Sequence, residues 1–382
     1  MSWRIVSLLG TLILLTFVSG CSLSPSIEKK RFFVKRNWLR STPEEKNLHF
    51  RRMNRMRPIV TDKLVISGNA VDRMTAFDRK TGKLLWVRRL KDGVEGGAQL
   101  LGRWLFFGAS DGLFYALNSE TGQTKWTFPV RVEVLGEPLV HKGIVYFLAG
   151  NNVLYALEAV SGKQKWTYNR LDSSQFSIRG ASRPIVIGAN LYLGFSDGSF
   201  MALNKDKGTV IWEKNLNQNK RFRDVDSSPV SDGQRIYVSS FDGALYCLDP
   251  KNGKIYWKLE EGGYAPVLIV KDTLYYSTSK GQIMALDKGS GKVKWSRDGV
   301  RGIATKPVFY RGLLVYGESQ GALQILDAST VQQVGQYKTG RGVTSTPYLD
   351  QKTGDIYFMS ATANLYALQF SWDVLNRVWP WE

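Results

Sequence analysis

The chain has 382 residues, 43% of them hydrophobic, and a formal net charge of +19, so it can fill a large core and favours anionic partners. No zinc-finger or RNA-binding signature accompanies the basic charge, so nucleic acid is not predicted as a partner. The 37 glycines, 12 tryptophans and 17 tyrosines indicate many short strands joined by tight turns.

The N-terminus reads as a targeting segment. Arg4 precedes an apolar run over Ile5–Val18 that is too short to span a bilayer comfortably. The following residues, Val18-Ser19-Gly20-Cys21, resemble the bacterial lipobox, which predicts that Cys21 is lipidated and becomes the first mature residue. The alternative is an ordinary signal peptide with a chance cysteine. Ser22 stands where an Asp would resemble an inner-membrane retention signal, which favours the inner leaflet of the outer membrane.

A strongly basic segment follows. Residues 28–57 hold eleven Lys or Arg and three Glu, as expected for a solvated tether beside a membrane. An alternative is that this tether binds anionic lipid or cell-wall components. Only one other cysteine exists, Cys247, so a lipidated Cys21 leaves no intramolecular disulfide.

Beyond the tether, eight segments share one pattern. Each is an aromatic and β-branched run, a Gly-containing turn and an apolar-Ala-Leu-acid/amide ending, as in Ala76-Phe77-Asp78. Six copies continue with Gly four residues on and Trp eight residues on. Those tryptophans are Trp86, Trp126, Trp166, Trp212, Trp257 and Trp295. The seventh copy has Val331 and Gly335 at these two positions, and the eighth ends near Gln369.

These repeats predict an all-β, eight-bladed β-propeller of four-stranded antiparallel blades. Each unit of about 40 residues encodes four short strands, A to D from the centre outwards, and strand A begins at a proline such as Pro138. One small sheet cannot cover both its faces, so the units must stack radially with Trp wedged between them. The predicted divisions are a signal peptide over 1–20, an anchor and tether over 21–45, the propeller over 46–370 and a tail over 371–382.

The eighth unit lacks its own strand D. A strand from the N-terminal side, at Arg31–Trp38, can supply it and close the ring, and the tail Ser371–Glu382 is the competing candidate. Cys247 occupies a position that is Ala in six other repeats, which predicts a small buried side chain.

The candidate site comes from loop lengths. Two consecutive D-to-A connections are longer than the others, from Trp166 to Pro184 and from Trp212 to Pro229, and both emerge on the same face. They contain apolar side chains beside an arginine and two carboxylates, which is typical of a protein-binding hot spot. The residues concerned are Phe176, Ile178, Arg179, Asp224 and Asp226.

Other interpretations of these residues stay open. Arg179 can pair with Asp224 or Asp226 simply to pin the two loops together. The two carboxylates can also ligate calcium or act as an acid/base pair, although the rest of a calcium loop and a nearby histidine are both missing.

The repeat resembles the tryptophan-docking repeat of quinoprotein propellers over roughly residues 58–370. Within it, the segments 177–184 and 223–230 resemble the Leu-Arg-Gly and Asp-Val-Asp-Thr-Thr-Pro-Val segments of the BamB family, lipoproteins of the outer-membrane β-barrel assembly complex. The chain departs from that family at Phe176, Ile178, Ser227 and Ser228, in the eroded seventh repeat and in its polybasic tether.

The family resemblance implies a non-catalytic scaffold without a cofactor or metal. It implies that the two loops bind the periplasmic POTRA domains of a BamA-type insertase, with unfolded outer-membrane proteins as further clients. A quinoprotein dehydrogenase is the alternative, and it commonly requires a disulfide between adjacent cysteines that this chain cannot form.

Overall fold

The computed structural model describes residues 30–44, 53–170, 182–216 and 224–374. In this part of the chain every regular element is a β-strand, and none is a helix long and apolar enough to cross a membrane. The strands form eight four-stranded antiparallel sheets. The prediction of an eight-bladed β-propeller is therefore confirmed.

Seven blades are built from four consecutive strands each, paired in chain order. In blades 1 to 4 the strands are Ile59–Val60 (β2), Leu64–Gly68 (β3), Arg73–Asp78 (β4), Leu84–Arg89 (β5); Ala98–Leu101 (β6), Trp104–Gly108 (β7), Leu113–Asn118 (β8), Thr124–Pro129 (β9); Leu139–His141 (β10), Ile144–Leu148 (β11), Val153–Glu158 (β12), Gln164–Asn169 (β13); and Ile185–Ile187 (β14), Asn190–Gly194 (β15), Ser199–Asn204 (β16), Val210–Asn215 (β17). In blades 5 to 7 they are Val230–Ser231 (β18), Ile236–Ser239 (β19), Leu245–Leu248 (β20), Ile255–Leu259 (β21); Leu268–Val270 (β22), Thr273–Ser277 (β23), Gln282–Asp287 (β24), Val293–Asp298 (β25); and Val308–Tyr310 (β26), Leu313–Gly317 (β27), Ala322–Asp327 (β28), Gln333–Lys338 (β29).

The eighth blade joins the two ends of the propeller. It contains Tyr348–Leu349 (β30), Asp355–Met359 (β31) and Asn364–Val374 (β32), and its fourth strand is Lys30–Ser41 (β1), which pairs with β32. Past β1, both the backbone N–H and the hydroxyl of Thr42 donate to the carbonyl of Ala363, at 3.1 and 2.7 Å. The strand that completes the ring thus comes from the N-terminal side.

Burial follows the position of each strand in its blade. Strands B and C lie between neighbouring sheets and are buried almost throughout, as in β3 and β27, whereas the outer strands alternate or are largely exposed. Two-sided burial explains why the B and C runs are nearly continuous in apolar residues. The core is accordingly a series of hydrophobic clusters along the chain, several of which join side chains of neighbouring blades.

The repeated tryptophans pack against the C-to-D turn of the next blade. Gly122 has a φ of +70°, and a Cβ built on it would lie 2.7 Å from the Trp86 ring, so the turn accepts only glycine without strain. The Trp86 indole N–H donates to the carbonyl of Ser119 in that turn at 3.0 Å. Trp126, Trp166, Trp212 and Trp257 repeat this arrangement at their neighbours.

Trp38 on β1 occupies the corresponding place in the eighth blade. Its ring lies against Gly82, and its indole N–H donates to the carbonyl of Arg79 at 3.0 Å. The same blade explains why the seventh repeat has Gly335 in place of Trp. Blade 8 has no C-to-D turn because its outer strand comes from the other end of the chain, so a Trp at Gly335 would have no such turn to dock on. Phe32 of β1 lies over Gly335 instead.

Cys247 is fully buried on β20 opposite Trp257, and burial raises the pKa of its thiol to about 11. A protonated, inaccessible thiol is a packing residue rather than a nucleophile.

Candidate functional site

Each D-to-A connection ends just before the innermost strand of the next blade, on the face where the B-to-C turns also lie. We call this face the loop face. The connections share a recurring packing contact between a valine and a glycine. In four of them a valine four or five residues before the start of strand A packs on the glycine that ends strand B of the preceding blade. The pairs are Val94–Gly68, Val134–Gly108, Val225–Gly194 and Val343–Gly317.

The contact is close enough to require glycine. A Cβ on Gly194 would lie 2.1 Å from the carbonyl oxygen of Val225. The backbone N–H of Val225 donates to the carbonyl of Phe195 at 3.1 Å, and the other three valines make the same bond. Val225 itself is fully buried. The valine of the Asp-Val-Asp segment therefore belongs to a repeated plug that anchors the connection on the propeller.

The two aspartates beside this plug distinguish it from the others. Asp224 is 2% exposed and Asp226 is 9% exposed, although both belong to a surface connection. The positions after the plug in the other connections are Glu95, Leu135 and Thr344. Only in the Val225 connection, among these four, is the valine flanked by a carboxylate on both sides.

Asp226 lies in an electrostatically unfavourable place. Both of its carboxylate oxygens are buried without a hydrogen-bond partner. Burial, followed by repulsion from Asp224, raises the pKa of the Asp226 carboxyl to about 8, and the positive charge of Arg55 opposes that rise. A buried carboxylate without partners is costly in a folded protein and is a frequent mark of a functional position.

Sequence reasoning missed Arg55. It belongs to the segment before strand β2, which crosses the loop face. Asn54 donates from its amide to the carbonyl of Ala361 in blade 8 at 3.1 Å and accepts from the N–H of Ala70 in blade 1 at 2.9 Å. The Arg55 guanidinium lies over the ring of Tyr264, which precedes blade 6, at 4.9 Å. No repeat or loop-length signal marks this residue, because its contacts are made across the ring.

A small pocket lies beside the two aspartates. It is lined by backbone and side chains of blades 3 and 4 and of the Val225 plug, including Asn152, Ser182, Ser196, Asp224 and Asp226. The amide of Asn152 donates to the hydroxyl of Ser196 at 2.5 Å. The pocket therefore has polar side chains in its lining and lies where the two long connections end.

The ends of the two long connections are joined directly. The hydroxyl of Ser182 donates to the carbonyl of Ser227 at 3.4 Å, and the N–H of Arg183 donates to the hydroxyl of Ser228 at 3.0 Å. The predicted residues Phe176, Ile178 and Arg179 lie outside the described residues, as does Cys21. The structure thus brings together the ends of both connections, beside Asp224 and Asp226.

Nothing in the described ranges forms a group of three or more His, Cys, Asp or Glu side chains that could hold a metal ion. Asp224 and Asp226 are two such groups, and their mutual repulsion raises the proton affinity of Asp226. Among the described residues, the chemistry of the site is that of a buried carboxylate pair in a loop junction.

Comparisons with known proteins agree on one family. A family model described as outer membrane protein assembly factor BamB matches residues 43–297. The protein of that name from Salmonella typhimurium is 28% identical over 398 residues, which cover 94% of this chain and 98% of the relative. The one from Legionella pneumophila is 26% identical over 202 residues, so the match spans about half of each protein, 51% of this chain and 52% of the relative.

Solved structures agree on the fold. The crystal structure of BamB from Moraxella catarrhalis superimposes with a TM-score of 0.76 at 18% identity, covering 88% of this chain and all of that one. Quinohemoprotein alcohol dehydrogenase from Comamonas testosteroni superimposes with a TM-score of 0.72 at 15% identity, covering 88% of this chain and 76% of the enzyme. At these identities the structural likeness concerns the fold alone.

Proposed function

Because this chain belongs to the BamB family of outer membrane protein assembly factors, we propose that it is a non-catalytic scaffold lipoprotein of the machinery that assembles outer-membrane β-barrel proteins. In this proposal, lipid on Cys21 anchors it to the periplasmic face of the outer membrane. The relatives' name supports the assembly role, and the lipobox-like Val18–Cys21 segment supports the anchor.

We further propose that the loop face binds the periplasmic POTRA domains of a BamA-type insertase. The observation that carries this is the junction of the two long connections, where Ser182 and Arg183 bond to Ser227 and Ser228 beside the two aspartates. The two carboxylates are buried within the chain beside this junction. Direct contact then falls to Phe176, Ile178 and Arg179.

The affinity of unlipidated residues 22–382 for the purified POTRA domains of the cognate insertase tests this proposal. Arg179→Ala is expected to weaken binding by about 1–3 kcal/mol, as loss of a charged hydrogen-bonding anchor should. The matched control is Arg103→Ala, an exposed arginine in the A-to-B turn on the opposite face, which is expected to bind like the wild type.

The outcomes separate the partner from the site. Unchanged binding by Arg179→Ala leaves the partner standing and removes the loop site. Equal weakening by both variants indicates a general charge effect. Absence of wild-type binding removes the insertase as partner.

The dehydrogenase alternative has its own test. The likeness to quinohemoprotein alcohol dehydrogenase is confined to the fold. Adding pyrroloquinoline quinone and calcium to the purified protein is expected to leave no bound chromophore after gel filtration. Stoichiometric binding of the quinone would contradict the scaffold-only proposal.

A further inference from the structure

The entrance to the central channel carries charged side chains at one repeated position. In seven blades a proline leads into strand A, and the residue before that proline stands on the loop face next to the propeller axis, because strand A is the innermost strand. In blade 2 the residue before Ala98 takes the same place. Around the ring these residues are Arg57, Gly97, Glu137, Arg183, Ser228, Ala265, Lys306 and Thr346. We call Arg57, Arg183, Lys306 and Glu137 the basic ring.

Contacts between neighbouring blades hold one side of this ring. The Arg183 guanidinium forms an ion pair with Glu137 at 3.0 Å and also donates to the carbonyl of Pro138 at 3.4 Å. The Glu137 side chain lies over Gly97, whose missing Cβ leaves room for it. The single carboxylate of the ring is therefore already paired.

The other two cations, Arg57 and Lys306, form no ion pair with Glu137. The Arg57 guanidinium lies over the Tyr348 ring at 5.2 Å, and its charge is attracted by Glu137 and repelled by Arg183. Lys306 experiences the charges of Arg57 and Arg183, which repel it, and of Glu137, which attracts it. Arg57, Glu137 and Arg183 lead into blades 1, 3 and 4, whereas Lys306 leads into blade 7. Their charges act on Lys306 across the propeller axis, so the ring is narrow.

The cost of placing two cations here appears in the lowered pKa values of Arg57 and Lys306. Burial, followed by repulsion from Arg57, lowers the pKa of the Lys306 ammonium to about 8, and burial lowers the pKa of Arg57. Arg57 is nevertheless exposed to solvent, and Lys306 is partly exposed. Side chains that are surrounded by protein yet touch water are those that project into a water-filled channel.

Three positive charges against one negative charge make this entrance a focus for anions. We propose that the basic ring is a binding site for a small phosphate-type anion, held between Arg57, Lys306 and Arg183 at the loop-face end of the channel. Such a ligand carries one or more negative charges and several acceptor oxygens, which suit the donor fork of arginine and the point charge of lysine. The narrow ring favours a compact group, such as a free phosphate or a lipid phosphate headgroup, and this inference does not depend on the insertase partner.

Calorimetric titration of unlipidated residues 22–382 with inorganic pyrophosphate tests the site. Lys306→Gln and Arg57→Gln are each expected to weaken binding about tenfold or more, since each removes a charge-assisted contact. Glu137→Gln is expected to tighten binding severalfold, because it releases Arg183 and raises the net charge of the ring. The opposite signs of these effects are specific to the proposed arrangement.

The control is Lys251→Gln, an exposed lysine in a C-to-D turn on the opposite face, which is expected to bind pyrophosphate like the wild type. Lys306→Gln removes a desolvated charge, so it is expected to fold at least as stably as the wild type, and thermal melting checks this. Equal losses of pyrophosphate binding in Lys251→Gln and Lys306→Gln would overturn the site.

Flotation with vesicles distinguishes the sources of the phosphate. If the ring binds a lipid headgroup, phosphatidylglycerol vesicles retain the wild type more than Arg57→Gln, whereas phosphatidylcholine vesicles retain neither. If the ring binds free phosphate, pyrophosphate binding is lost in the variant while retention on phosphatidylglycerol is unchanged. Wild-type binding to neither pyrophosphate nor phosphatidylglycerol would refute the inference.

Discussion

Replacing Trp38 with alanine should open the propeller at its closing blade. The indole is 5% exposed, lies against Gly82 of blade 1 and donates to the carbonyl of Arg79 at 3.0 Å. Loss of a buried tryptophan side chain costs about 3–5 kcal/mol, including the cavity that it leaves. We expect the free energy of unfolding in urea to fall by this amount.

Trp38→Phe separates packing from the hydrogen bond. It keeps most of the apolar contact but leaves the Arg79 carbonyl without this donor, so a smaller loss of about 1–3 kcal/mol is expected. Trp86→Ala is the matched control, because Trp86 is 9% exposed, belongs to a blade of four consecutive strands and makes the equivalent bond to Ser119 of the next blade.

Trp38→Ala and Trp86→Ala should differ in which strand becomes accessible to protease. Trp38→Ala releases β1, so limited proteolysis is expected to cut near residues 30–41 first, whereas Trp86→Ala should leave β1 protected. A loss of less than about 1 kcal/mol for Trp38→Ala, or equal protection of β1 in both variants, would refute its role in closing the ring.

Three further predictions follow from buried positions. Gly122→Ala should lower the free energy of unfolding by about 1–3 kcal/mol in urea titration, because its Cβ would meet Trp86 at 2.7 Å in a turn with a φ of +70°; wild-type stability would contradict the docking geometry. Asp226 has a folded-state pKa raised to about 8, above its unfolded value of about 4, so the folded state binds the extra proton and stability should fall as pH rises from about 4 to about 8. Asp226→Asn should flatten that slope and be more stable than the wild type at pH 8, and an unchanged slope would show that this carboxyl is not the cause. Cys247 should resist alkylation by iodoacetamide at pH 8 in the folded protein and react only after denaturation, because its thiol is buried with a pKa of about 11.

Much of the architecture could be predicted from the sequence, because the strands and turns of each blade depend on short-range periodicity. The Ala-to-Trp spacing within a repeat sets the register of strands C and D, as in Ala76 opposite Trp86. The glycine of the same repeat marks a turn with positive φ, and its recurrence predicts the number of blades. These are local rules, so a repeat of about 40 residues carries them complete.

Only the tertiary structure decided how the ring closes and what surrounds the site. Arg31–Trp38 and the tail were both candidates for the last strand, and pairing of β1 with β32 depends on contacts such as Thr42 to Ala363, which no local pattern encodes. The same holds for Arg55 and Lys306, which acquire their electrostatic neighbours across the propeller axis. A closed ring brings residues that are far apart in sequence to one channel entrance, and its charge balance exists only once all the blades are in place.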